Sequence, residues 1–332
     1  MTTIAKLDPA VFFRRIPLAP HQMLDRVTRT QDAIVLCHLG VARLDREQWS
    51  LTIDGLVERP LTLRFGDLMR YPKTEVTSSH QCAGSPLAPL EPTRRICNIR
   101  WGGVRLADVF ADCGPSVRAK YIWSHGADFG EFGGATVDAY VKDLPIARVE
   151  ADALIAYEMN GSALPAELGF PARLVVPGFY GTNSVKWLTR MTLATTRAPG
   201  PFTTRWYNDP VLDDAGRDTG ETTPVWSIAP ESVIVSPAPE EAIELSVERE
   251  IWGWAWADGG VHRVDVRTGD GDWRPASLEP AHGREWQRFS IPWTPRQRGA
   301  VVLASRAQTT DGLCQPISGR RNAIHAVPVN VV

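Results

Sequence analysis

The sequence predicts an α+β domain followed by an antiparallel β-sandwich. The chain has 332 residues, and at about 150 residues per domain this length suggests two domains. The first 200 residues mix short strand-like runs with short helical runs, whereas the residues after 225 show frequent turns and little helical periodicity. The composition, 43% apolar and 22% charged, is that of an ordinary globular protein rather than a disordered or fibrous one.

The elements of the first domain follow from local patterns. Residues 1–50 are expected to form an irregular arm. Short helices are expected at 63–69 and at 104–113, where Gly114-Pro115 stops the second helix. Apolar alternation or short apolar runs predict strands at 49–56, 121–123, 153–159, 173–176 and 186–193.

The texture of the sequence changes near residue 200. We predict a first domain over 1–205, a polar linker over 206–224 and an antiparallel β-sandwich over 225–332. In the last segment Trp252, Trp254 and Trp256 alternate with small residues. Such tryptophans are expected to lie in the core or on the sheet surface, and an aromatic sugar-binding platform is the alternative.

Charge and hydropathy exclude several partners. Thirty-six Lys and Arg against 38 Asp and Glu give a net charge of −2, so neither nucleic acid nor an anionic membrane surface is an expected partner. No apolar run of about 18 residues predicts a membrane span. Arg14-Arg15 is followed by prolines and a histidine instead of an apolar stretch, which favours a polar arm over an export signal. A cytoplasmic protein is therefore expected.

The cysteines predict neither a disulfide framework nor a zinc ribbon. There are five, an odd number, with wide spacing and no Cys-x-x-Cys pair. Any metal would therefore have one or two protein ligands, and a cofactor would supply the rest of its coordination.

Two segments have residues suited to chemistry. Cys82 lies between a strand-like stretch and a loop of small residues, which suits a thiolate approached by a bulky group, although buried inert cysteines are common. Residues 169–188 place Arg173 in an apolar run, followed by a Gly/Asn/Ser loop and Lys186. Two cations and exposed backbone N–H groups would form an anion-binding loop, and a solvated loop between two strands is the alternative.

Several blocks, in order along the chain, resemble the sulfite oxidase family of molybdopterin-dependent oxidoreductases. They are Gln81-Cys82-Ala83-Gly84, Trp101–Val109, Tyr157–Gly161, Gly169–Leu188 and, in the last third, Val264–Val266 with Asp270–Trp273. The resemblance implies a sulfite-oxidase-type molybdopterin-binding domain followed by an immunoglobulin-like dimerisation domain, and hence a homodimer.

The resemblance also implies roles for individual residues. Cys82 matches the thiolate ligand of molybdenum, a soft ligand beside the two sulfurs of the pterin. Tyr207 matches an active-site tyrosine. The residues that match molybdopterin-binding positions are His38, Asp128, Arg173, Ser184, Val185 and Lys186. No haem-binding motif is present, so we expect no haem and a separate electron carrier.

Departures from the family pattern affect the substrate side. Where the family has Arg-Asn-His the chain has Leu36-Cys37-His38, and where it has Asn-Arg-Arg after Cys-Ala-Gly the chain has Ser85-Pro86-Leu87. Leu168 replaces a histidine, residues 87–100 lack a tryptophan-containing stretch, and a further arginine near the C-terminus is absent. Arg94, Arg95 and Arg205 are the candidates for compensating cations.

These losses shape the expected function. Sulfite is a small anion that needs positive charge in a water-poor pocket. We therefore expect an enzyme for two-electron oxygen-atom transfer on a small substrate that is neutral, larger or more apolar than sulfite. A non-catalytic cofactor-binding or structural protein that retains the fold is the alternative.

Overall fold

The computed structural model describes residues 6–8, 13–15, 18–84, 95–213, 216–318 and 321–332. These residues form two compact units. The first unit comprises Met1–Ile16, Val35–Val76 and Arg100–Trp226, and the second comprises Pro17–Ile34, Thr77–Ile99 and Ser227–Val332. No helix in the described part of the chain is long and apolar enough to cross a membrane.

The first unit contains a mixed sheet. Its strand order is Val141–Pro145, Tyr121–Gly126, Leu188–Ala194, Ser50–Gly55, Leu61–Arg64. Leu188–Ala194 runs parallel to Ser50–Gly55, and the other neighbours are antiparallel. A second sheet has the order Ser162–Ala163, Leu154–Met159, Ile96–Arg105, Lys73–Gln81, and Arg173–Val175 also pairs with Leu154–Met159. Residues 77–81 and 96–99 of this sheet are assigned to the second unit. Short antiparallel pairs join Lys6–Asp8 to Val41–Arg43, Phe13–Arg15 to Val35–Leu36, Gly130–Phe132 to Ala135–Val137, and Asn208–Leu212 to Asp218–Pro224.

Short helices lie between these strands. The α-helices are Phe65–Leu68, Leu106–Cys113, Ile146–Asp152 and Pro201–Thr204, and the 3₁₀ helices are Pro20–Gln22, Thr30–Asp32, Ala166–Leu168 and Gly181–Asn183. Leu106–Cys113 buries residues 106, 109, 110 and 113, the spacing that puts one apolar helix face in the core. It ends at Gly114, whose φ of 64° is the left-handed conformation that terminates helices.

Three predicted elements begin two residues later than the sequence suggests. The helix predicted over 104–113 begins at Leu106, because Ile96–Arg105 is a strand. The helix predicted over 63–69 begins at Phe65, because Leu61–Arg64 is a strand and the Arg64 N–H donates to the Asp67 carboxylate at 2.9 Å. The strand predicted over 186–193 begins at Leu188, because Trp187 has a left-handed φ of 51° that interrupts extended backbone.

The second unit is a sandwich of two sheets. One has the order Glu231–Ser236, Arg249–Trp256, Gln287–Trp293, Ser277–Leu278, and the other has the order Ala242–Ile243, Ala326–Val331, Gly299–Gln308, Arg263–Thr268, Arg274–Pro275. Ile251, Phe289 and Leu303 lie fully buried in the core of this sandwich. The α+β fold and the antiparallel sandwich predicted from the sequence are thus confirmed.

The tryptophan face of the sandwich is covered by the N-terminal part of the second unit. Trp254 and Trp286 stack with centroids 5.0 Å apart and are buried. The Trp254 indole N–H donates to the Met23 carbonyl at 2.7 Å, and the Arg26 guanidinium lies 5.3 Å from the Trp254 ring centroid. These tryptophans are therefore packing residues, and Trp254 and Trp286 form no exposed sugar-binding platform.

The domain boundaries predicted at 1–205, 206–224 and 225–332 stay a prediction, but the units of the structure have different limits. The second unit takes in 17–34 and 77–99 as well as the sandwich. The segment predicted as a linker contains the hairpin of Asn208–Leu212 and Asp218–Pro224, and it belongs to the first unit. Turn frequency and helical periodicity along the sequence do not reveal that one unit is formed by separate segments of the chain.

Candidate active site

Arg173 is the centre of a buried cation site in the first unit. Its guanidinium donates to the carbonyls of Leu168 at 3.0 Å and Ser184 at 2.8 Å, and it lies 5.0 Å from the centroid of the Trp101 ring. Only 2% of the residue is exposed. Because these acceptors are neutral carbonyls, they solvate the guanidinium without cancelling its charge.

Lys186 is held in the same way. Its ammonium donates to the carbonyls of Leu36 at 2.8 Å and Glu167 at 3.1 Å and to the Cys37 sulfur at 3.1 Å. Burial lowers the pKa of Lys186. Three acceptors nevertheless require three N–H donors, which only the protonated amine has. The arrangement therefore favours the charged form.

Ser184 and Val185 fix the spacing between these two cations. The Ser184 hydroxyl accepts the Val176 N–H at 3.0 Å, and the Val185 carbonyl accepts the Leu174 N–H at 2.8 Å. The segment 184–186 therefore lies along the strand Arg173–Val175. Of the residues predicted to bind the cofactor, Arg173, Ser184, Val185 and Lys186 are brought together by these contacts.

Asp128 lies beside the same segment. A Cβ on Gly126 would come within 2.4 Å of an Asp128 carboxylate oxygen and 2.8 Å of the Lys186 carbonyl, so the two loops approach at a glycine. Burial raises the pKa of Asp128 to about 7, and the Lys186 charge opposes this rise. Asp128 therefore joins the cation site, which we define as Asp128, Arg173, Ser184, Val185 and Lys186.

His38 and Tyr207 form a hydrogen-bonded pair. The His38 Nε2 atom contacts the Tyr207 hydroxyl, although the two residues are 169 positions apart. Burial, followed by the Lys186 charge, lowers the pKa of His38 to about 3, so its ring is neutral near neutral pH. Aromatic rings surround the histidine, with centroids at 4.8 Å for Phe132, 5.5 Å for Tyr140 and 5.4 Å for Phe202.

Lys142 is a charged residue of this region that the sequence did not single out. It is fully buried, its ammonium donates to the Phe202 carbonyl at 2.9 Å, and it lies 5.2 Å from the centroid of the Tyr207 ring. Burial lowers the pKa of Lys142 to about 8. The available signal was the pattern Val141-Lys142-Asp143-Leu144, in which charged residues interrupt an apolar strand.

Cys82 belongs to the second unit. Its sulfur accepts the Gly84 N–H at 3.4 Å, and its own N–H donates to the Arg95 carbonyl at 2.8 Å. Burial raises the pKa of the thiol, whereas the Gly84 N–H and the charges of Arg95 and Arg321 oppose that rise. The surroundings thus include groups that stabilise a thiolate.

Gln81, the residue before Cys82, is fixed by a buried side-chain network that sequence reasoning missed. Its carbonyl oxygen accepts the Trp256 indole N–H at 2.9 Å, and its amide donates to Asn322 at 3.1 Å and to Glu231. Burial raises the pKa of Glu231 to about 8, so this carboxyl is mostly protonated at pH 7. Such a network positions the Cys82 backbone through its neighbour.

The structure describes some of the positions at which the chain departs from the family pattern, and some of the candidate compensating arginines. Leu36 and Leu168 contribute backbone carbonyls that accept hydrogen bonds from Lys186 and Arg173. Arg95 is a neighbour of Cys82, and Arg205 is exposed against Trp206. Ser85-Pro86-Leu87 and Arg94 lie outside the described residues.

Comparison with known proteins identifies the family. The model of the oxidoreductase molybdopterin binding domain matches residues 38–202, and that of the Mo-co oxidoreductase dimerisation domain matches residues 222–305. Sulfite oxidase of Arabidopsis thaliana is 30% identical over 304 residues, which cover 83% of this chain and 76% of the relative. The chain belongs to the sulfite oxidase family of molybdopterin-dependent oxidoreductases.

Two further relatives extend the comparison. Human mitochondrial sulfite oxidase is 33% identical over 82% of this chain and 52% of the relative. The chain therefore spans about half the length of this and similar vertebrate sulfite oxidases. The structure of the sulfane dehydrogenase SoxCD from Paracoccus pantotrophus has a TM-score of 0.78 and 29% identity, with coverage of 94% of this chain and 85% of that chain.

The residues present fit a molybdenum cofactor. Among the described residues, no group of three or more His, Cys, Asp or Glu side chains could hold a metal ion. Cys82 offers a soft sulfur ligand, and the cation site holds the buried cations of Arg173 and Lys186, which suit an anionic phosphate. Both features match what a molybdopterin needs.

Proposed function

We propose that the protein is a mononuclear molybdenum oxidoreductase that transfers an oxygen atom to or from a small substrate less charged than sulfite. The observation that carries this proposal is the His38–Tyr207 pair, which is packed among Phe132, Tyr140 and Phe202, while Leu36 occupies an arginine position of the family. Aromatic rings and a neutral histidine around the Tyr207 hydroxyl favour an apolar or neutral substrate over a small dianion.

Each residue has a defined task in this proposal. When bound, the cofactor supplies two-electron redox chemistry with oxygen-atom transfer. Cys82 would supply a thiolate to the metal, and the cation site would attract the phosphate of the pterin. Neutral His38 would orient the Tyr207 hydroxyl, which can donate a hydrogen bond to a polar substrate atom.

The relatives carry more than one substrate in their names: several are sulfite oxidases, and one is a nitrate reductase. The structural relative is called a sulfane dehydrogenase, so in that protein the same architecture serves a different sulfur compound. The match to the dimerisation domain supports a homodimer. A cytoplasmic location, a separate electron carrier and the lack of haem stay predictions.

The decisive experiment combines cofactor content with a substrate comparison. Protein from a host that makes the cofactor should contain about one molybdenum and one pterin per chain. Oxidation of reduced methyl viologen by dimethyl sulfoxide, a neutral oxygen donor, should be faster than ferricyanide reduction by sulfite. Faster sulfite turnover would contradict the substrate proposal, and absence of molybdenum would favour a non-catalytic protein.

Cys82→Ser tests the metal ligand. The variant should lose the thiolate-to-molybdenum absorption band and at least about 100-fold in activity, because a hydroxyl is a poor substitute for a soft thiolate. Cys314→Ser is the matched control, since Cys314 is exposed. Retention of the band and of activity in Cys82→Ser would exclude Cys82 as the ligand.

A further inference from the structure

Lys142 and its neighbour Asp143 are both fully buried charges on the strand Val141–Pro145. Side chains of successive strand residues point to opposite faces, so the two charges face different surroundings. Asp143 receives two hydrogen bonds from Arg197, at 2.8 Å and 3.1 Å, and one from the Ala198 N–H at 3.1 Å. The carboxylate is thereby fully engaged by Arg197 and the backbone.

Lys142 has no such counter-ion. Within the part of the chain that the structure describes, no carboxylate forms an ion pair with its ammonium, which donates to the Phe202 carbonyl and lies over the face of Tyr207. A desolvated ammonium over an aromatic face is attracted by the electron-rich ring. The buried ammonium thus contacts both the Phe202 backbone and the Tyr207 ring.

Lys142 contacts Phe202 and Tyr207, and both of these residues contact His38. The Phe202 carbonyl accepts a hydrogen bond from Lys142. The Phe202 ring also packs on His38, with ring centroids 5.4 Å apart. Tyr207 itself has a left-handed φ of 61°, a conformation that costs energy for a residue with a bulky side chain. The surrounding contacts must therefore hold Tyr207 in place, and Lys142 provides one of them.

We propose that Lys142 is a positioning residue for the pair: its ammonium fixes the Phe202 backbone and the Tyr207 ring so that the phenol hydroxyl stays on His38. This inference rests on the proposed function for its catalytic meaning, although the positioning itself is a property of the protein alone. The lysine does not contact substrate in this assignment. It determines where the tyrosine hydroxyl is presented.

The first test needs no cofactor. Cofactor-free protein is labelled with [¹³Cζ]tyrosine, and Tyr207 is assigned among the six tyrosines by Tyr207→Phe. Lys142→Met should shift the Tyr207 resonance and leave those of distant tyrosines in place. Lys142→Arg should retain the wild-type resonance, and exposed Lys120→Met is the control. An unshifted Tyr207 signal in Lys142→Met would overturn the proposal.

Two further variants separate charge from structure. Lys142→Gln keeps a donor for the Phe202 carbonyl but has no charge, so a wild-type Tyr207 resonance in this variant would refute a role for the ammonium over the ring. If Lys142→Met fails to fold, the comparison of Lys142→Gln with Lys142→Arg decides the same question. A crystal structure of cofactor-free Lys142→Gln should show the Tyr207 hydroxyl displaced from His38.

The holoenzyme adds a kinetic readout with dimethyl sulfoxide and reduced methyl viologen. Lys142→Met should lower kcat by about 10- to 30-fold at unchanged KM and unchanged molybdenum content. Adding Lys142→Met to Tyr207→Phe should cause little further loss, because both changes remove the same positioned hydroxyl. Fully additive losses would overturn the proposal, whereas absence of molybdenum in the wild type would contradict only the proposed function.

Discussion

The two units bury charged groups by different means. In the first unit, Arg173, Lys186 and Lys142 all donate to backbone carbonyls. In the second unit, the buried acid Glu231 is held by the side-chain amide of Gln81 and is mostly neutral near pH 7. Carbonyls keep a cation charged, whereas an apolar site with an amide partner suppresses a carboxylate. At these positions the first unit therefore retains positive charge and the second avoids negative charge.

Among the variants that test this comparison, Lys186→Met should cause the largest loss of stability. Three acceptors would lose their donor, at about 1 kcal/mol each, so the free energy of unfolding should fall by about 3 kcal/mol. Pterin retention after dialysis should also fall, because the phosphate loses a nearby cation. Denaturant titration and pterin fluorescence measure the two effects. Lys120→Met is the control, and unchanged pterin content would exclude Lys186 from cofactor binding.

Glu231→Gln is expected to have the next largest effect, and it depends on pH. The folded-state pKa of about 8 lies above the unfolded value, so the folded protein binds more protons and loses stability as pH rises from about 4.5 to about 8. Between pH 6.5 and 8 this single group should cost the wild type about 2 kcal/mol. In Glu231→Gln that decline should shrink to the smaller contribution of Asp128, whose pKa burial raises to about 7.

Urea titrations at several pH values measure the difference between wild type and Glu231→Gln. Buried His38, His125 and His325, whose pKa values are lowered to about 3 to 4, add the opposite slope below pH 6.5 in both proteins. Exposed Glu248→Gln is the control. Parallel stability curves for wild type and Glu231→Gln would show that Glu231 is not a neutral buried acid.

Gly126→Ala should have the smallest effect of the three. The added methyl group would lie 2.4 Å from an Asp128 oxygen and 2.8 Å from the Lys186 carbonyl, so the two loops must separate, at a cost of about 1 kcal/mol. At Gly84 in the second unit the nearest atom is a guanidinium nitrogen of Arg95 at 2.9 Å, which can move aside. Gly84→Ala should therefore be milder in thermal unfolding, and equal losses would contradict this comparison.

Features formed by residues close together in the sequence could be predicted, whereas contacts between distant residues could not. The segment Gly169–Leu188 could be identified because its cations and glycines are close along the chain. The His38–Tyr207 contact spans 169 positions, so local pattern could suggest the two residues only separately. Lys142 and Glu231 were not singled out, although charged residues interrupt an apolar strand around Lys142, since a charged residue in a strand is ordinarily assigned to the solvent face. Their burial depends on Phe202 and Gln81, which the fold brings to them.

The covering of the tryptophan face has a consequence for how the chain matures during synthesis. Met23 and Arg26 leave the ribosome more than 200 residues before Trp254, their contact in the finished protein. All residues of the first unit are synthesised before the strand that carries Trp254, so Met23 and Arg26 lack their contact during that time. A fragment limited to 225–332 would leave Trp254 and Trp286 without that cover, and the bare indole surface would promote self-association.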